Sequence, residues 1–285
     1  MDFKVEFKKV RSFGEIINDS FLFIRQNIKA LFKTFLYFSG IFVVAGIVSN
    51  VMYQLRIQEA AGQNSVSAMF GLTYLVVMAI TLLSYTALTV SILCFIDLYN
   101  QKGRVAPTVE EVWGYFRYYF FRVFGSSLVI GLFLGICFLC CIIPGIYVFP
   151  AVSLVLPVMI FENAGLDYSL GRGFKLVKQQ WWPTAGTLLM IWFITYAMMC
   201  FVMVPLIMAG LIGSFAGGQK ALGLGIAITS AVLQGICQIF MILPLVGVSL
   251  CYFNLAERIE HTGLLGRINQ FGNESDPSGE TREDY

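Results

Sequence analysis

The sequence predicts an all-α fold: a polytopic membrane helix bundle of six spans, built as three repeats of an interfacial amphipathic helix followed by a transmembrane hairpin. Three observations predict it. Of 285 residues, 58% are hydrophobic and only 13% are charged, whereas a soluble domain usually carries about 25% charged residues. Several apolar runs reach the roughly 20 residues needed to cross the hydrocarbon core. A short aromatic–cation–apolar motif also recurs ahead of the first, third and fifth runs.

The spans fall at about 35–53, 70–96, 123–143, 145–161, 184–212 and 223–253. Ahead of them, residues 1–34 form a cytoplasmic segment with an interfacial helix. Within it "FKVEF", residues 3 to 7, alternates apolar and polar, which suits a short strand or a membrane-surface anchor. Residues 1 to 30 lack an apolar core followed by a small-residue cleavage site, so the first span is expected to act as the targeting signal. Only Pro144-Gly145 separates the third and fourth spans, which form either a full hairpin or a re-entrant one. Pro205 and Pro244 lie mid-span in the fifth and sixth, and broken helices of that kind line substrate paths in transporters. Residues 254–270 read as a cytoplasmic helix. Residues 271–285, "FGNESDPSGETREDY", are polar and acidic and are expected to be disordered.

The repeated motif aligns Phe21, Trp113 and Phe174. Four residues later stand Arg25, Arg117 and Lys178, and three further on Ile28, Phe120 and Trp181. Offsets of 0, 4 and 7 lie within two turns of one helix. Acidic residues lie just upstream of each copy: Glu15 and Asp19, Glu110 and Glu111, and Asp167. In the third copy, Leu166, Leu170, Phe174, Val177 and Trp181 share about 80° of arc, with Arg172, Lys175, Lys178 and Gln179 roughly opposite. Such a helix lies on a membrane surface with its cations near anionic headgroups. Trp113, Trp181 and Trp182 are the expected interfacial anchors, and Pro183 marks the bend into the fifth span.

Charge orients the chain. Seventeen of the Lys and Arg residues fall on the side of both termini, and only Arg56 and Lys220 on the other. The positive-inside rule then places the N- and C-termini in the cytoplasm, and the expected location is a bacterial inner membrane.

Several chemistries are excluded. Cys137-x-x-Cys140-Cys141 lacks the second ligand pair of a zinc site, so these residues read as small apolar side chains and no metal or other cofactor is expected. The glycines at 213, 217, 218, 223 and 225 follow no strand and precede no Gly-Lys-Ser/Thr, so they make no nucleotide loop and fit an outward-facing turn. Gly131-x-x-x-Gly135 suits close helix packing. His261, the single histidine, stands in the polar tail helix. Asp97 and Glu162, at the cytoplasmic ends of the second and fourth spans, are the acidic residues nearest the membrane interior. Either they hydrogen-bond to an adjacent helix or pair with a cation such as Arg172, or they rim a polar mouth for a headgroup, with Lys175 and Lys178 nearby.

Three stretches, "FGEIINDSFLFIRQNIKALFK", "IPGIYVFPAVSLVLPVMIFENAGLDYSLGRGFKLVKQQWWPT" and "FNLAERIEHTGLLGRINQFG", resemble the bacterial family named for the membrane domain of glycerophosphoryl diester phosphodiesterase. The resemblance runs over roughly residues 12 to 272. Pro144-Gly145, Glu162, Ser169, Phe174, Leu176, Trp181 and Trp182 occupy the family's motif positions. It implies a multi-pass bacterial membrane protein. It does not imply the phosphodiesterase reaction, which in that family belongs to a separate soluble domain. A carotene-cleaving oxygenase holds its iron with four histidines, so one histidine excludes that label too.

The expected function is therefore non-enzymatic: an accessory, scaffold or lipid-interacting membrane protein with no catalytic residues. Its expected partners are membrane lipids and other membrane proteins, and no nucleic acid. The alternative is a small-molecule or lipid transporter using the proline-broken fifth and sixth spans, which calls for a polar cavity near the bilayer midplane.

Overall fold

The computed structural model describes residues 4–59, 71–140, 142–215 and 219–260. Among these the chain is all-helical with no strand. The helices are α1 (Phe13–Glu59), α2 (Leu72–Gln101), α3 (Val109–Cys140), α4 (Ile142–Ser153), α5 (Val155–Phe161), α6 (Leu166–Val177), α7 (Trp181–Phe215), α8 (Gln219–Cys237) and α9 (Ile242–Glu260). A short 3₁₀ turn, Gln238–Met241, joins the last two. Six helical stretches are long and apolar enough to cross a membrane, the shortest being Ile143–Phe161 with 19 residues. This is a multi-pass membrane architecture.

Two helices form the axis. In α2 every residue but Tyr85 and Asp97 from Ser84 to Tyr99 is buried, and in α9 all those from Ile242 to Glu257 are. Helix α1 runs along α2, while α3, α5 and α9 pack around it. Of its most apolar stretch the last span buries 72%, against 17% for α3, so the last span is central and α3 peripheral. The approach of α7 to α9 is close enough that a Cβ on Gly247 would lie 2.4 Å from Ile191 Cδ1.

Helix starts explain the acidic residues of the repeated motif. Ser12 caps α1: its N–H donates to Glu15 Oε2 at 2.7 Å. Thr108 caps α3 in the same way, its N–H donating to Glu111 Oε2 at 2.8 Å. In both, as in a capping box, the carboxylate at the third helical position satisfies a free N–H at the helix start. The third copy instead starts at Gly165, without a side-chain cap.

Only the third copy is a separate surface helix. In the first, α1 continues from its interfacial part into the span, with a kink at Asn27 (φ −114°, ψ 16°). In the second, α3 runs unbroken from Val109 to Cys140. At the third, the chain leaves helical hydrogen bonding after Val177 and re-enters at Trp181.

Proline positions shift several boundaries. Helix α3 ends at Cys140 and α4 begins at Ile142, so Pro144-Gly145 stands in the first turn of α4 rather than between the two helices. Pro183 likewise sits in the first turn of α7, and the bend precedes it. The first turn tolerates proline because its N–H would lack an intrahelical partner anyway. The fifth span is not broken: α7 passes through Pro205 without interruption. The sixth is broken, and the 3₁₀ turn lies immediately before Pro244. That ring lacks an N–H and crowds the carbonyl four residues back, at Phe240 within the turn.

Two further expectations change. "FKVEF" forms no strand among its described residues; Val5 and Phe7 are buried and Lys4 is exposed, so the alternation records a chain pressed onto the bundle. Gly131 and Gly135 support no close helix contact, since a Cβ at either would meet nothing within 4 Å. The turn expected at Gly217-Gly218, His261, the remainder of the helix to residue 270, and the tail 271–285 lie outside the described residues.

Candidate functional site

All the ion pairs found among the described residues lie at one end of the bundle, here called the charged end. Its centre is Glu162, the residue that closes α5. Arg172 Nε donates to Glu162 Oε1 at 3.0 Å, and the Tyr252 hydroxyl donates to the same oxygen at 2.8 Å. Tyr168 also bonds to Glu162, and Arg172 Nη2 pairs with Glu260. Burial opposes the Arg172 charge, but its bonds to the two carboxylates outweigh it and raise the guanidinium above its ordinary pKa. The bond to Glu162 likewise raises the Tyr168 phenol. One carboxylate thus ties α5, α6 and α9 together.

The next residue extends this joint. Asn163 adopts a left-handed conformation (φ 47°), which asparagine tolerates better than most, and its side chain accepts from Arg122 Nη1 at 3.2 Å. Four helices therefore meet around residues 162 and 163.

A second joint fastens the N-terminal strap, residues 4–12. Phe7 is 1% exposed and meets Phe23, Tyr99 and Phe253 edge-on, with centroids 5.0, 6.1 and 5.5 Å away. Arg11 is buried and engages all three guanidinium nitrogens: Nε pairs with Asp19 at 2.7 Å, and the terminal nitrogens donate to the carbonyls of Phe7, Lys9 and Glu6. The Arg11 N–H donates to Asn254 Oδ1 at 2.8 Å, and Arg258 Nη2 donates to the Arg11 carbonyl at 3.1 Å. A cavity of about 130 Å³ lies beside this joint, between the strap, α7 and α9.

The sequence-predicted residues fall into separate groups. Glu162 and Arg172 meet directly. Asp97 bonds to a different partner, accepting from Gln101 Nε2 at 2.9 Å. Lys175 and Lys178 are exposed on α6. The buried stripe of α6 is Ser169, Gly173, Leu176 and Val177; a Cβ on Gly173 would lie 2.6 Å from the Ala151 carbonyl oxygen, so small residues set this close contact. Phe21, Trp113 and Phe174 are 42%, 48% and 38% exposed, so the motif's aromatic faces outward in all three copies. Trp113 stacks on Phe116 and Phe38. Trp181 donates through Nε1 to the Tyr147 carbonyl at 2.9 Å and stacks on its ring, while Trp182 meets Trp181 edge-on and is 80% exposed.

The main cavity is elsewhere. About 420 Å³ opens among α1, α2, α7 and α8, beside the break in the sixth span. Tyr85, in its wall, precedes Gln101 by 16 residues, about 24 Å of helix from the charged end. Measured from the charged end, that is past the midplane of a hydrocarbon core about 30 Å thick. Asn50 Nδ2 donates to Gln234 Oε1 at 3.0 Å on one side. One turn further along, at the helix break, the Ser84 hydroxyl lies 3.0 Å from Gln238 Oε1 and 2.8 Å from its Nε2. Neither Asp97 nor Glu162 lines this space. The sequence carried one signal for it, the amides Asn50, Gln234 and Gln238 within apolar runs; only the fold shows that helices so far apart in sequence bring them together.

Among the described residues no group of three or more His, Cys, Asp and Glu side chains converges as metal ligands would. The chain matches no protein-family model, no curated protein and no solved structure.

Proposed function

We propose that this chain is a non-enzymatic protein of a bacterial inner membrane that binds a lipid or other small amphiphile within its helix bundle. The observation that carries the reading is the cavity of about 420 Å³ among α1, α2, α7 and α8, with amide and hydroxyl groups in an otherwise apolar wall. Its volume lies within the roughly 300–1,000 Å³ of small-molecule pockets. Polar groups at this depth are costly unless paired, and a ligand with a polar head and an apolar body suits both parts of the wall.

The ends of the molecule support the same reading. The exposed cations Arg25, Arg117, Lys175 and Lys178, with the outward-facing Trp113 and Trp182, form the surface that meets lipid headgroups. The excess of cations on the side of the termini supports a cytoplasmic charged end. The resemblance to the membrane domain of the phosphodiesterase family points to the same class of protein. No reaction is assigned to the acidic residues: Glu162 is engaged by Arg172 and Tyr252, and Asp97 by Gln101.

A second reading, movement of the bound amphiphile across the membrane, is favoured by one observation. The 3₁₀ break at Gln238–Met241 directly adjoins the cavity, as broken helices adjoin transporter sites.

Lipid retention tests the proposal. A Cβ at Gly46 meets only Ile80, at 3.9 Å, so Gly46→Leu fits the backbone and projects into the cavity. Native mass spectrometry of the purified chain is expected to find a co-purified lipid or other apolar molecule, and Gly46→Leu to lose it. A wild-type chain free of bound molecules after gentle extraction contradicts the reading.

A further inference from the structure

The cavity wall has a chemical bias, and we infer that its ligand is an uncharged amphiphile: a hydrophobic molecule whose head is a hydroxyl or carbonyl oxygen, not an ionised phospholipid headgroup. The inference rests on the cavity reading above and adds the class of molecule held there.

The polar part of the wall is made of Asn50, Thr81, Ser84, Tyr85, Gln234 and Gln238, with Tyr196 facing them from α7. No Asp, Glu, Lys, Arg or His is among the lining residues. An ionised phosphate or ammonium placed here would lose its hydration without gaining a counter-charge, which is strongly unfavourable in a medium of low dielectric. The ion pairs found among the described residues all lie at the charged end instead.

What the wall offers is neutral hydrogen bonding in both senses. The Asn50–Gln234 bond uses Asn50 Nδ2 and Gln234 Oε1, leaving Asn50 Oδ1 and Gln234 Nε2 without a partner among the described residues. An amide oxygen and an amide nitrogen side by side fit a group that both donates and accepts, as a hydroxyl does, and the nitrogen alone fits a carbonyl. One turn further along, the Ser84–Gln238 pair presents a second hydroxyl and amide at the helix break. The remaining wall includes Met199, Met203 and Met241. Methionine is unbranched and polarisable and adapts to irregular apolar shapes, which suits a flexible chain better than a rigid ring system.

Two sources share this chemistry: a diacylglycerol, with one hydroxyl and two ester carbonyls, and a long-chain isoprenoid alcohol. The test uses the full chain in nanodiscs of phosphatidylethanolamine and phosphatidylglycerol. Each preparation carries one diazirine-bearing probe: diacylglycerol, isoprenoid alcohol or phosphatidylglycerol. After photolysis, peptide mass spectrometry locates the label. A neutral probe is expected to label the end of α8 and the 3₁₀ turn, around Gln234–Met241, well above the level at Leu132 and Leu139. Those two residues stand 67% and 88% exposed on α3 and report ordinary lipid contact. Labelling by diacylglycerol alone, by the alcohol alone or by both supports the inference and identifies the source. Gln238→Leu is expected to lower cavity labelling by about fivefold to tenfold, the effect of losing one hydrogen bond, with labelling on α3 unchanged.

If phosphatidylglycerol labels the cavity as strongly as the neutral probes, the inference about class fails while the cavity reading stands. If no probe labels the cavity above the α3 level, the cavity reading fails as well. Should Gln238→Leu not yield a monodisperse protein, the comparison of the three probes on the wild-type chain decides.

Discussion

A single carboxylate, Glu162, holds the charged end together, and its neighbours define what its loss would do. The Arg172 side chain is 11% exposed and bonds both Glu162 and Glu260. Arg172→Ala leaves two acidic groups facing each other in a half-buried place, and hydrogen bonds to charged groups contribute about 1.5–3 kcal/mol. We expect Arg172→Ala to destabilise by about 2 kcal/mol, read as a lower Tm in detergent. Glu162→Gln keeps an acceptor for Tyr252 and leaves Arg172 paired with Glu260, so its loss is smaller. Equal losses for the two variants would contradict this assignment. The sequence placed Glu162 and Arg172 within reach of one another, ten residues apart across a short turn. It held no sign of Tyr252 and Glu260, which arrive from a helix some 90 residues away in sequence. In the sequence Arg11 is one cation among many, whereas the fold buries it and engages all three of its guanidinium nitrogens.

Among elements, the N-terminal strap joins most of the charged end. Val5 and Phe7 are buried, Arg11 locks to Asp19 and Asn254, and Arg104 pairs with Glu6 at 3.0 Å. Burying a phenylalanine and then deleting it costs about 3–5 kcal/mol in a packed core. Phe7→Ala is therefore expected to release the strap and expose Arg11 to trypsin, whereas in the wild-type chain the buried Arg11 is expected to stay uncut. Membrane vesicles of known sidedness add the orientation: cleavage should occur when the protease is on the cytoplasmic side. Cleavage from the opposite side contradicts the assigned topology, and an uncut variant contradicts the role of Phe7. The alternation in "FKVEF" was legible as a two-sided segment, but a strand needs a partner strand and the helical bundle supplies none. Prolines misled in a related way. Pro205 and Pro244 read alike in sequence, yet α7 accommodates the first and the chain breaks before the second. Which outcome follows depends on whether neighbouring structure satisfies the freed carbonyl, and that is a property of packing rather than of the local residues.

The whole molecule was legible in outline because its main constraint is local. Crossing a bilayer requires about 20 apolar residues in a row, and such runs are read directly from composition; six suitable helices appear near the expected places. The cavity was not legible in that way. Its wall draws on α1, α2, α7 and α8, and each contributes one or a few neutral polar residues that are unremarkable alone. The continuous burial of α2 begins at Ser84 and that of α9 at Ile242, and the space lies beyond it, among α1, α2, α7 and α8. The polar mouth expected near Glu162 and the space actually present lie at different depths in the bundle.

The central claim is that this space holds a molecule drawn from the lipid phase. Cryo-electron microscopy of the chain in a native-lipid nanodisc measures that directly. The account predicts continuous density in the cavity, with its compact end within hydrogen-bonding distance of the Asn50–Gln234 or Ser84–Gln238 pair and its extended end along the methionines. A collapsed, dry contact among α1, α2, α7 and α8, with no density between them, would contradict it.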